Sequence, residues 1–303
     1  MTFGKIIDKA LEELNKAGIY DARFDVYEII SEMMGVDYSS VELMSERPIG
    51  DFNVDEYQSK IERMKKGEPV AYITGTKSFY REKYKVTPGV LIPRPDTEVL
   101  VETALQSLGL CDFPMGDVAL VTPIKVDGTV KIADLCTGTG CIGVSVANGI
   151  VENGQMCDGT LVDLSPEALK CASDNIKLSN AALKVVGADI LNDDLSTIIE
   201  PNSLDLLLSN PPYITASDML ELDKSVKDYE PDLALYGGED GLIFYNRLCE
   251  LGKKFLKSGG ALIVEHGYDQ GAKVREIFEK NGFNNVTNIR DYGSNDRVVF
   301  GRT

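Results

Sequence analysis

Three groups of residues in this chain have types and spacings that suggest chemistry. The first is Asn210-Pro211-Pro212-Tyr213, directly after the apolar run Leu204-Asp205-Leu206-Leu207-Leu208-Ser209. Two successive prolines lack backbone N–H groups and fix φ, so they end a buried strand in a stiff corner. There Asn210 offers a side-chain amide, Pro211 a carbonyl free of the ladder, and Tyr213 a flat ring. An acceptor pair beside an aromatic face suits a planar –NH₂ group and the π-system that carries it.

The second group is Gly138, Gly140 and Gly143, spaced G-x-G-x-x-G after the strand-like Lys131-Ile132-Ala133-Asp134-Leu135. Glycines at this spacing let the backbone approach a ligand, with Cys136, Thr137 and Thr139 completing the loop. The third group is two acids that follow later strands. Asp163 is placed to take both hydroxyls of a ribose, and Asp189 to reach an adenine amino group with Ile190 packed on the ring. Together these residues predict an adenosine-bearing cofactor. A dinucleotide would lay its phosphates near the carboxylate of Asp134. S-adenosylmethionine has no phosphate and carries an ammonium that Asp134 suits, directly or through a water. The local charge therefore favours S-adenosylmethionine over NAD.

The elements that must position these groups follow from hydrophobic period. Phe3, Ile6, Ile7, Ala10, Leu11 and Leu14 predict a helix, as do Phe24, Tyr27, Ile30 and Met34, with Gly35 as its stop. Tyr57, Ile61 and Met64 predict a third, so residues 1–76 are expected to form a small helical domain. A strand-like pattern over 78–92, broken at Pro88-Gly89, predicts a hairpin linker within 77–97. Thr97 is then placed to cap a helix through Leu100, Val101 and Leu105. Residues 109–130 read as a loop or small extra hairpin. Beyond them, strands are expected at 130–135, 159–163, 183–187, 204–209, 260–265, 285–290 and 296–301, the earlier ones separated by helical patterns. That alternation predicts an α/β domain over 98–303 with a mostly parallel sheet, its last two strands antiparallel across a short turn.

Composition limits the partners. In 303 residues, 48 acids against 31 bases give a net charge of −17, and no basic run appears. No general attraction to nucleic acid or an anionic membrane is expected. Six cysteines without a C-x-x-C pair, and one histidine, argue against a zinc site and for reduced thiols in a cytoplasmic protein. No apolar leader or run long enough to span a bilayer is evident.

These motifs, with Glu68-Pro69-Val70-Ala71-Tyr72-Ile73-Thr74-Gly75, Ile92-Pro93-Arg94-Pro95-Asp96-Thr97-Glu98, Glu230-Pro231-Asp232-Leu233-Ala234-Leu235 and Gly238-Glu239-Asp240-Gly241-Leu242, resemble the PrmC/HemK family of class I S-adenosylmethionine-dependent methyltransferases. These are protein-(glutamine-N5) methyltransferases of peptide-chain release factors, and the resemblance covers nearly the whole chain. It implies a helical N-terminal substrate-recognition domain, a hairpin linker and a seven-stranded, Rossmann-like catalytic domain. It further implies that the backbone of Cys136, Thr137, Gly138, Thr139 and Gly140 holds the cofactor, that Asp163 takes its ribose and that Ile190 lies by its adenine. Asn210, Pro211, Pro212 and Tyr213 would hold the glutamine of a class I release factor's Gly-Gly-Gln loop, with Asn210 also beside the cofactor. A monomer is expected. Cys136 stands where the family often has glycine, and His266, read as structural, where an apolar residue is common. The alternatives are an adenine-N6 or guanine-N2 nucleic-acid methyltransferase, which the charge disfavours, an NAD-dependent oxidoreductase, and a non-catalytic partner-binding module.

Overall fold

The computed structural model describes residues 1–111 and 123–303. Residues 112–122 of the expected loop or hairpin around 109–130, including its apolar stretch at 118–121, lie outside the described residues. The chain divides into two compact units, one formed by Met1–Thr76 with Asp223–Tyr229, the other by Lys77–Leu222 with Glu230–Thr303.

The first unit contains α1 (Phe3–Lys16), α2 (Arg23–Met34), α3 (Tyr38–Glu42), α4 (Val54–Lys65) and α5 (Val70–Thr74), and the short α9 (Lys224–Lys227) belongs to it by position. Its core gathers Phe3, Ile7, Leu14, Val26, Ile30, Tyr57 and Ile61. Gly35 ends α2 in the left-handed conformation, as a helix-stopping glycine does. Phe24 does not join that core. It is 56% exposed and stacks on Tyr38 with ring centroids 4.8 Å apart, while Val26 and Ile29 turn inward instead.

Strands β1 (Thr76–Phe79) and β2 (Glu82–Lys85) form a two-stranded sheet. Strand character stops at Lys85, short of the predicted 92, because Pro88 cannot donate to a ladder and Gly89 turns the chain at φ +86°. Next come α6 (Glu98–Ser107), β3 (Val130–Leu135), α7 (Cys141–Glu152), β4 (Cys157–Asp163), α8 (Pro166–Asn175), β5 (Ala182–Gly187) and β6 (Leu204–Ser209). The chain closes with α10 (Ile243–Phe255), β7 (Leu256–Glu265), α11 (Gly271–Lys280), β8 (Asn284–Arg290) and β9 (Asp296–Arg302).

These last strands complete a seven-stranded sheet of order β5-β4-β3-β6-β7-β9-β8. β5 to β7 pair in parallel, and β9 runs antiparallel to both β7 and β8. Alternate residues of the central strands enter two cores. Ile132, Leu206, Leu208 and Ile263 pack on one face of the sheet. Ala133, Leu135, Leu207, Leu262 and Val264 pack on the other. Both faces are covered, which is why β6 reads as a continuous apolar run rather than an alternating one. This is the class I methyltransferase sheet. Its strand order reverses between β4 and β6, on either side of β3, and in open α/β sheets ligands bind at the carboxyl ends of strands beside such a reversal.

Candidate active site

At that reversal lies a cavity of about 290 Å³. Its wall includes Cys136, Thr137, Gly138 and Thr139 after β3, Asp163 at the end of β4, Asp189 and Ile190 after β5, and Asn210 and Pro212 after β6. Nine of the predicted site residues are therefore brought to one wall. Gly140, Pro211 and Tyr213 are not on it. Gly140 sits beneath the loop at φ +82°, where a Cβ would come 3.2 Å from Leu161 and 3.3 Å from Ala172. Pro211 is buried, and the Tyr213 hydroxyl turns inward to donate to Glu265 Oε1 at 3.3 Å.

The glycine loop is tied from below. Asp134 is fully buried at the end of β3 and does not line the cavity. Its Oδ2 accepts from Thr137 Oγ1 at 2.6 Å and from the Gly143 N–H at 3.0 Å, while Oδ1 is buried without a partner. Burial pushes its carboxyl up to about 7, against those two hydrogen bonds. Asp163 accepts from the Gly138 N–H at 2.8 Å and the Ser165 N–H at 2.9 Å, which fix its plane at the cavity edge. Its pKa is raised by burial, with the backbone donors opposing. Asp189 accepts from Asn192 Nδ2 at 2.8 Å and the Leu191 N–H at 2.9 Å, and the Asn192 contact leads in holding its pKa down. Cys136 adopts φ +59°, a left-handed conformation that glycine takes at less cost. That conformation fits the expectation, drawn from the resemblance, of glycine at this position.

β6 is pinned beside β3 at the same end, because Ser209 Oγ donates to the Leu135 carbonyl at 2.7 Å. The corner that follows is held by glycines and a glutamine. A Cβ on Gly237 would lie 2.6 Å from Tyr213 Cα, and one on Gly241 2.3 Å from the Tyr213 carbonyl oxygen. Gln270 Nε2 donates to that same carbonyl at 3.0 Å. The loop at 237–241 can press on the Pro212-Tyr213 backbone only because these positions lack side chains.

Sequence reasoning missed several residues here. Thr97 makes no side-chain cap bond to its helix. It is buried, lines the cavity, and its Oγ1 accepts from Asn210 Nδ2 at 3.4 Å. Arg94 also lines the cavity and is paired with the buried Glu230. Glu265, 1% exposed at the end of β7, carries one oxygen on Tyr213 and one with no partner. Burial pushes it up to about 7, with Thr97 foremost and then Arg297 and Tyr213 opposing. Glu265 ends an apolar strand as Asp134 and Asp163 do, and that shared signal was available. His266 is fully buried between the Gly267 carbonyl and the Asn288 side chain, each at 2.8 Å, and does not line the cavity. Burial lowers its pKa and favours the neutral ring. No cluster of metal-binding side chains occurs among the described residues.

Comparison with known proteins places this geometry. Residues 5–75 match the model of the PrmC N-terminal domain, and 111–224 that of the methyltransferase small domain. A release factor glutamine methyltransferase of Pasteurella multocida is 38% identical over 270 residues, spanning 87% of this chain and 85% of that protein. The chain belongs to the release factor glutamine methyltransferase family. Another member, from Salmonella typhimurium, is 32% identical over 302 residues and aligns over 100% of this chain and 99% of its own length. A solved protein-(glutamine-N5) methyltransferase (release factor-specific) from Alicyclobacillus acidocaldarius is 26% identical, covering 72% of this chain and 98% of that one, with a TM-score of 0.39. That score adds nothing to the assignment.

Proposed function

We infer that the chain transfers a methyl group from S-adenosylmethionine to the side-chain amide nitrogen of the glutamine in the Gly-Gly-Gln loop of release factors. One observation carries this reading beyond family membership. Asn210 and Pro212 stand on the wall of the same cavity as the glycine loop and Asp163, at the ends of neighbouring strands. A grip for an amide thus lies next to a seat for an adenosine cofactor.

The residues present fit that cofactor. Thr137, Gly138 and Thr139 present a close backbone surface. Asp163 and Asp189 are acceptors for hydroxyl and amino groups, and the orphaned Asp134 Oδ1 suits an ammonium reached through water. The acids around the loop suit a cofactor without phosphates better than a dinucleotide. Among the described lining residues Arg94 is the single cation, and Glu230 already holds it. When bound, the cofactor supplies an activated methyl on a sulfonium. Asn210 Oδ1 accepts one N–H bond of the substrate amide; the Pro211 carbonyl, off the cavity wall in the free chain, accepts the other as substrate enters, and Tyr213, also off the wall, braces the corner through Glu265. An amide nitrogen is a weak nucleophile because its lone pair is delocalised. Holding both protons in acceptors turns that lone pair toward the methyl and favours a near-attack geometry. The nitrogen becomes acidic once methylated, so no strong base is required, and buried His266 takes no part.

The test is titration calorimetry with S-adenosylhomocysteine and NAD, followed by transfer of labelled methyl to purified release factor, transfer RNA and DNA. Binding of S-adenosylhomocysteine alone, with label entering only the release factor, is expected. NAD binding, or label in nucleic acid, would overturn the reading.

A further inference from the structure

An asparagine side chain has two ends of nearly the same shape, and only one of them can grip an N–H. If Asn210 turned its –NH₂ into the cavity, it would meet the substrate amide donor to donor. What decides is the partner behind it. Thr97 Oγ1 lies 3.4 Å from Asn210 Nδ2, but a hydroxyl accepts or donates with equal ease. A hydroxyl proton directed elsewhere makes Thr97 an acceptor toward Asn210. The Thr97 side chain is foremost among the groups that hold the Glu265 carboxyl down against burial, and Glu265 keeps Oε2 buried without a hydrogen-bond partner while Oε1 accepts from the Tyr213 hydroxyl.

We propose that Thr97 and Glu265 are positioning residues that fix which end of the Asn210 amide faces the substrate. The polarity runs in one direction, with Asn210 Nδ2 donating to Thr97 and the Thr97 hydroxyl directed to Glu265. Asn210 Oδ1 is left for the cavity. An ionised carboxylate can only accept, so it cannot reverse the chain. Arg297 opposes the burial that pushes the Glu265 carboxyl up to about 7, so the ionised form that fixes the polarity gains as pH rises through that value. Arg297 is held 3.0 Å from Asp291 and 3.3 Å from Asp96, next to Thr97 in sequence. Because Glu265 also anchors Tyr213, one carboxylate orients both ends of the Asn210-Pro211-Pro212-Tyr213 corner. The same chain accounts for Thr97 forgoing its expected role as a helix cap.

This proposal rests on the reading that Asn210 grips the transferring amide. Thr97→Val keeps the side-chain shape and removes the hydroxyl, whereas Thr97→Ser keeps the hydroxyl. With release factor as substrate, Thr97→Val is expected to lower kcat about tenfold or more and leave S-adenosylhomocysteine affinity within about twofold. Thr97→Ser should stay within about threefold of the unsubstituted chain in kcat. Asn210 side-chain amide resonances, assigned by their loss in Asn210→Ala, should shift in Thr97→Val and hold in Thr97→Ser. Wild-type kcat in Thr97→Val, or equal impairment in both variants, overturns the proposal. If the unsubstituted chain methylates no release factor, the amide-gripping reading fails by itself. The resonances then decide the Thr97 contact, and an unchanged spectrum in Thr97→Val overturns it.

Discussion

Asn210 is proposed to act on the substrate amide, so its loss should separate chemistry from cofactor binding. Asn210→Ala is expected to lower kcat by about 10²-fold or more and to leave S-adenosylhomocysteine affinity within a few-fold. Steady-state kinetics and calorimetry on the same protein check both halves, and near-wild-type turnover would refute the amide grip. Asp134 makes a second residue-scale prediction. Its carboxyl is pushed up to about 7 in the free chain, so much of it is protonated near neutral pH. A nearby ammonium favours the ionised form and lowers that pKa, so binding should release protons, and affinity should rise with pH below about 7 and level off above it. Calorimetry in buffers of different ionisation enthalpy measures the release. It should vanish in Asp134→Asn, and its persistence there would move the effect to another group, such as Asp163.

At the scale of elements, the corner after β6 depends on the loop at 237–241 pressing against it. Gly241 has φ +71°, and a Cβ there would sit 2.3 Å from the Tyr213 carbonyl oxygen and 2.4 Å from Gln270 Nε2. Gly241→Ala is therefore expected to cost about 2 kcal/mol or more and to lower Tm by several degrees, with activity falling too. A melting curve that does not move would mean the loop yields without strain. The sheet itself was readable in the sequence. Each central strand is an apolar run closed by an acid or a turn, and each proposed cofactor residue follows such a run. Thr97 was misread because a threonine before a helix is a common sign of a cap, and only the fold brings Asn210 to it. Phe24 was assigned to the core by its period alone, whereas α2 turns its neighbours Val26 and Ile29 inward. Arg94 with Glu230, and Glu265 with Tyr213, are partnerships between distant segments, and local periodicity carries no sign of them.

On the scale of the whole molecule, two compact units with separate cores imply a division of labour. A glutamine alone offers the cavity little area, and ordering a flexible loop costs free energy that remote contacts must offset. The proposal is that the helical unit supplies those contacts. Intact release factor should then have a far higher kcat/KM than its isolated Gly-Gly-Gln peptide. A chain beginning at Thr76 should bind cofactor yet lose most of that preference, and equal ratios in both enzymes would leave the helical unit a structural role only. The net charge of −17 is the reason the proposal favours a protein partner over nucleic acid, which would need phosphate-neutralising surface. The destination of the methyl group decides whether this chain methylates the release-factor glutamine. Release factor incubated with the enzyme and S-adenosylmethionine, then digested and sequenced by tandem mass spectrometry, should carry one added methyl on the side-chain nitrogen of the Gly-Gly-Gln glutamine. A release factor left unmodified, or methylated at any other residue, would contradict it.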